Sequence, residues 1–259
     1  MHPPVDVDQA GTRASDILRW GGLAGMLGGL LFIVVFLLVG IVVGADPAGP
    51  AGAIARFPEI RALRTVENGL YLVVLFLFVV HVLALYRALR ATSGAPALFG
   101  SALSIIGLAV LAVGALPHAV SVPISDLYHA PGTTPADQAT LVLVWQATQA
   151  IFNALLVTGL VIIPFGFLGL GAAMVRTPSL GPGYGWASVA LGVVGGGAAV
   201  ALLVDPPSFI AVVGIFALIA FHLIVGWKTF RISRLVVPAT ERGGERGAEP
   251  IGSAVGKVS

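Results

Sequence analysis

The chain has no cysteine, which excludes disulfides, thiolate metal sites and cysteine nucleophiles. It has little charge: 10% of its 259 residues are Asp, Glu, Lys or Arg, against 57% hydrophobic. Soluble domains carry about 25% charged residues, so this much apolar surface needs lipid as its solvent. Long stretches lack any ionisable group, and the stretch from His118 to Gln138 lacks Lys and Arg altogether. Functional signatures are missing as well. There is no phosphate-binding glycine loop, no dinucleotide fingerprint, no HExxH pair, no G-x-S-x-G elbow and no nucleic-acid module.

What is present is a series of apolar runs separated by short polar punctuation. Six predicted spans cover about 20–44, 68–87, 97–117, 141–175, 186–204 and 209–227. The predicted fold is an all-α, polytopic transmembrane bundle over 20–234, between a polar tail at 1–19 and a disordered tail at 235–259. The first run is too long for the apolar part of a signal peptide and reads as a retained helix. Pro58 and Glu59 suit the start of an interfacial helix that leads into the second span. Trp145 reads as an interfacial anchor, and Pro164 as a kink in the fourth span. The stretch AVSVPISDLYHAPGTTPADQ, with Pro123, Pro131 and Pro135, reads as the longest connection.

Cations gather at one set of span ends: Arg13, Arg19, Arg87, Arg90, Arg176, Lys228, Arg231 and Arg234, with Arg242, Arg246 and Lys257 beyond. The opposite ends carry only Arg56, Arg61 and Arg64. By the positive-inside rule both termini are expected in the cytoplasm of a bacterial-type plasma membrane, with the basic ends facing anionic lipid headgroups.

The chain also repeats itself. LFLFVVHVLALYRALR (75–90) and IFALIAFHLIVGWKTFR (215–231) share a histidine, four residues, an aromatic, a cation, two residues and an arginine. The turns RATSGAPALFG and RTPSLGPGYG also match with a one-residue slip, which suggests three helix pairs. Alignment on Arg176 puts Phe167 where the fourth span would carry the histidine.

Three groups of residues could carry chemistry. Within the spans, His81 and His222 sit at matched depth, and Asn153 is a further polar candidate. Ionisable groups inside spans usually face a bundle interior or a cavity. Two such histidines could ligate a b-type haem or a metal, or relay protons; the plainer alternative is that each bonds a hydroxyl or carbonyl on a neighbouring helix. At the mouth opposite the basic ends stand Arg61, Arg64, Glu67 and Asn68, with Asp205 at a neighbouring helix end, where a lipid phosphate or anionic solute could be met. The connection adds His118, Asp126 and His129, whose residue types suit zinc but whose spacing fits no metal motif. Gly-x-x-x-Gly patterns (Gly21–Gly25, Gly25–Gly29, Gly40–Gly44, Gly181–Gly185, Gly192–Gly196) serve either packing within the bundle or a homo-oligomer.

The layout, with its RWGGLAGMLGGLLF opening (19–32) and short basic turns, resembles small bacterial six-helix integral membrane proteins of unknown function. The resemblance implies a compact helical bundle and supplies no catalytic residue. The functional expectation is a protein that binds or passes a small molecule, ion or lipid. A redox protein with haem on His81 and His222, or a structural assembly partner, are the alternatives.

Overall fold

A computed structural model describes residues 7–43, 49–204 and 210–235. Among these described residues seven α-helices follow one another: α1 (Val7–Leu37, continued by a π-helical turn at Leu38–Val43), α2 (Gly49–Leu89), α3 (Gly94–Val113), α4 (Ala115–Tyr128), α5 (Pro135–Val175), α6 (Pro182–Val204) and α7 (Ile210–Leu235). Six stretches of the described residues are long and apolar enough to cross a membrane, with α3 and α4 together forming one of them. The all-α transmembrane bundle expected from the sequence is therefore the architecture found. Helix α1 starts at Val7, well before the boundary expected at residue 20. Asp205, the Ala45–Pro47 segment and the tail from Pro238 lie outside the described residues.

The helices close a ring in chain order. Helix α1 touches α2 and α7, α3 touches α2 and α5, and α6 touches α5 and α7. Helices α2, α5 and α7 also touch one another, whereas α1, α3 and α6 do not. Three inner helices thus form a triangle, and each outer helix fills the groove between two of them. This is the arrangement three helix pairs would make about a pseudo-threefold axis, in line with the repeat legible in the sequence. Even the matched turns meet: Thr92 Oγ1 and Thr177 Oγ1 share a hydrogen bond of 2.7 Å.

Small residues make these grooves fit. A Cβ added at Gly22 would lie 2.6 Å from the Phe230 backbone nitrogen, and one at Gly25 2.6 Å from His81 Nδ1. Gly185 and Gly192 face α5 in the same way, so these glycine faces are spent inside the bundle. Gly40 and Gly181 face open space.

Helices α2 and α5 each have 41 residues. At 1.5 Å per residue they are about 60 Å long, twice the hydrocarbon thickness of roughly 30 Å. Their N-terminal halves project together with α4 as a three-helix cap at the end away from the basic residues. The cap has its own small core of Ala53, Ile54, Phe57, Ile124 and Trp145, with Phe57 and Trp145 edge to face at 5.3 Å.

Three local expectations are corrected here. The stretch after Pro117 is helix through Tyr128, and only His129–Thr134 connects it to α5. Pro117 sits in the first turn of α4, where its missing N–H has no intrahelical acceptor to serve. Pro117, Ser121, Ile124 and Ser125 then recur at helical spacing and are buried, with Pro123 on the exposed face. Pro58 is likewise an exposed residue well inside a continuous α2, not the start of a separate helix. Trp145 is buried in the cap core and anchors nothing at an interface. Helix α5 begins with a capping box: Thr134 accepts from the Asp137 backbone N–H, and Asp137 accepts from that of Thr134, with Pro135 at the first helical position.

Candidate functional site

Two places concentrate polar atoms inside the bundle. The first lies on the pseudo-threefold axis. His81 on α2 and His222 on α7 are fully buried, and their Nδ1 atoms are 2.8 Å apart. A hydrogen bond between two neutral imidazoles needs opposite tautomers. One ring donates from Nδ1; the other accepts there and carries its proton on Nε2. Both Nε2 atoms are buried without a partner. Phe78 stacks on the His222 ring at 3.6 Å, and Phe167 stacks on Phe221 at 3.9 Å while standing edge-on to His222 at 6.2 Å. The residue that occupies the third histidine's place in the repeat therefore meets His222 on the axis.

The matched depth read from the sequence becomes direct contact, and the pair takes up the bond that a hydroxyl or carbonyl was expected to supply. The facing nitrogens do not suit a shared metal. On one tetrahedral metal ion, two imidazole nitrogens held at about 2.0–2.1 Å stand about 3.3 Å apart, wider than the 2.8 Å found here. Among the described residues no group of three or more His, Asp or Glu side chains could hold a metal ion.

The second place lies where the cap meets the bundle, and the transition from α3 to α4 builds it. At Gly114 the helix breaks, and side chains of α2 take up the carbonyls around the break. Tyr71 donates to the Leu111 carbonyl at 3.1 Å, and Asn68 Nδ2 donates to that of Ala115 at 3.4 Å. Asn68 Oδ1 is left buried with no partner. One turn before Tyr71, the buried Glu67 accepts from Arg64 at 3.1 Å. His118 faces this pair from the first turn of α4, near enough for both charges to act on its ring, and packs on Phe152 of α5 at 4.6 Å. Its Nδ1 is buried and has no partner.

These side chains border two cavities. A chamber of about 400 Å³ inside the cap has Arg64, His118, Gln149 and Asn153 on its walls, with Trp145 and Phe57 above them. A second, of about 320 Å³, shares those four residues and continues between α1 and α7 past Glu67, Tyr71, Phe32 and Phe36. The wall of the first chamber carries the cation of Arg64 and no carboxylate.

Of the outer-mouth candidates, the structure thus gathers Arg64, Glu67, Asn68 and His118, and adds Asn153, placed by the sequence reading among the intramembrane polar residues. It does not bring in Arg61, Asp126 or His129. Arg61 and Asp126 form an exposed ion pair at 2.8 Å on the cap surface. His129 donates from Nδ1 to the Ser125 carbonyl at 2.8 Å. Tyr71 and Gln149 were missed. The i, i+4 spacing of Glu67 and Tyr71, and of Trp145, Gln149 and Asn153, puts each set on one helical face, which is the signal that finds them. No family model, curated protein or solved structure matches the chain.

Proposed function

We propose that the chain is a multi-pass membrane protein that binds a small anionic molecule in the chamber between cap and bundle. The observation that carries the reading is the meeting of two cavities at Arg64, His118, Gln149 and Asn153, where an arginine side chain and an imidazole with an unpartnered buried nitrogen share the walls. An arginine presents five N–H donors, and the bond to Glu67 leaves others to reach a phosphate or carboxylate. The amides of Gln149 and Asn153 supply further donors. Pockets of this size with a few convergent polar groups are the usual form of a small-molecule site.

Binding fits better than passage. The axis of the bundle below the chamber is filled by the His81–His222 pair with Phe78, Phe167 and Phe221 packed round it. A haem on His81 and His222 draws no support from that packing, and neither ring borders a cavity described above. Assembly through the glycine faces draws little, since most of them are used within the bundle. The basic ends face the cytoplasm in this reading, so the cap and its chamber open on the other side of a plasma membrane.

Trp145 supplies the test. It borders the chamber, whereas Trp20, Trp186 and Trp227 are exposed residues close to the basic ends of their helices. In a W20F/W186F/W227F protein, titration with butyl phosphate shifts Trp145 emission to saturation, and Arg64→Ala with His118→Leu abolishes the shift. Saturable binding that ignores both substitutions would sink the reading.

A further inference from the structure

A third cavity, of about 760 Å³, lies against the first two. Its walls are the apolar faces of α5, α6 and α7, at Leu156, Val157, Thr158, Leu202, Leu203 and Ala211. It shares Ala150 and Asn153 with the cap chamber, and Asn153 and Leu156 with the second cavity. Asn153 thus borders all three. Its own side chain is exposed, and so are Thr158 and Leu203, so this arm opens sideways where the helices face lipid. The hydroxyl of Thr158 is turned back on the Ala154 carbonyl at 2.7 Å and offers the arm no free donor. One end of the combined space therefore has a cation, an imidazole and amides. The other is apolar and meets the bilayer.

We infer that the ligand is a single-chain anionic amphiphile taken from the bilayer, its head held at Arg64 and His118 and its chain lying in the lateral arm between α5 and α6. This deepens the binding reading above and rests on it. A water-borne anion would need only the cap chamber. An apolar arm three helices wide, sharing Ala150 and Asn153 with that chamber and open to lipid, has a use when the ligand has a tail. Asn153 stands where head and tail join, and its amide suits the polar linkage of such a molecule.

Dodecyl phosphate carrying a diazirine at the chain terminus is the probe, with the full chain in lipid nanodiscs. After illumination, peptides covering Thr158, Leu202, Leu203 and Ala211 carry label that excess unlabelled dodecyl phosphate removes and excess dodecanol does not. The Arg64→Ala and His118→Leu proteins lose that competable label while keeping the background that every lipid-facing helix acquires. Competable label confined to the cap, or none on the arm while Trp145 still responds to butyl phosphate, would overturn the lateral arm and leave anion binding intact. Inorganic phosphate competing as well as dodecyl phosphate would show that the site takes the free ion, and would also overturn it. A Trp145 that responds to neither phosphate would overturn the binding reading itself.

Discussion

Replacing His81 with leucine removes one partner of a bond that joins two inner helices at the centre of the bundle. The substitution keeps an apolar side chain of similar size on a fully buried site. It leaves His222 Nδ1 facing carbon at a depth where water does not reach. Double-mutant cycles within a membrane protein put interhelical hydrogen bonds at about 0.6 kcal/mol on average and up to about 1.7. The short, fully enclosed His81–His222 bond belongs at the upper end, near 1.5 kcal/mol. An orphaned buried polar atom costs about 1–3 kcal/mol. His222→Leu loses the same bond and also the stack with Phe78 at 3.6 Å, worth roughly 0.5–1.5 kcal/mol more. The double variant behaves differently, because it removes all four ring nitrogens, including the two Nε2 atoms that have no partner in the native chain. Its loss should fall below the sum of the single losses by about 1–2 kcal/mol. Reversible unfolding in mixed micelles, read by helical circular dichroism for wild type, both singles and the double, measures this. Additivity within about 0.5 kcal/mol would refute the reasoning, since it would mean that the two rings do not see each other.

Other outcomes follow from the same packing. Gly25→Val forces carbon into the His81 ring, from which an added Cβ would stand 2.6 Å, and should destabilise by about 1–3 kcal/mol in the same unfolding assay. Trp145→Ala empties the cap core and should cost about 3–5 kcal/mol if the cap unfolds with the bundle; limited proteolysis cutting the α4–α5 turn in the variant alone would report local opening. Arg61→Ala breaks only an exposed ion pair, so it should change stability by less than about 1 kcal/mol, in contrast to Arg64→Ala, which strands the buried Glu67. Because the native chain has no cysteine, Pro131→Cys in the cap turn and Ala91→Cys in a basic-end turn give a clean topology assay. An impermeant maleimide added to intact cells should label the first and spare the second.

Hydropathy runs and cation placement made the number of spans and the basic end legible, because lipid imposes length and polarity on each span separately. Helix neighbours are a different matter, since glycine-rich helices look alike in sequence. The ring order became visible only in the packing, although the aligned turns and the position of Phe167 hinted at threefold repetition. The cap was concealed by composition. Pro117, Pro123 and the lack of Lys and Arg after His118 suggested a loop, yet Pro117 falls in a first turn, and Pro123 inside the helix deprives only the exposed Ala119 of its intrahelical partner, at a carbonyl that water can reach. That error hid the chamber, because His118 was assigned to the connection while the fold carries it to Arg64 and Glu67. The histidine pair was found by depth alone. Its partner geometry depends on a glycine, Gly25, which lets α1 close over His81 and which no ligand motif records.

In the proposed function the space below the cap holds a ligand and the histidine layer does not. An electron-density map of the protein purified in nanodiscs with native lipid and nothing added tests it most directly. The expected map has non-protein density beside Arg64 and His118, extending past Asn153 into the arm between α5 and α6, with His81 and His222 in direct contact. Density lodged between α2 and α7 at the two histidines, with the chamber under Trp145 collapsed or holding only water, would contradict it.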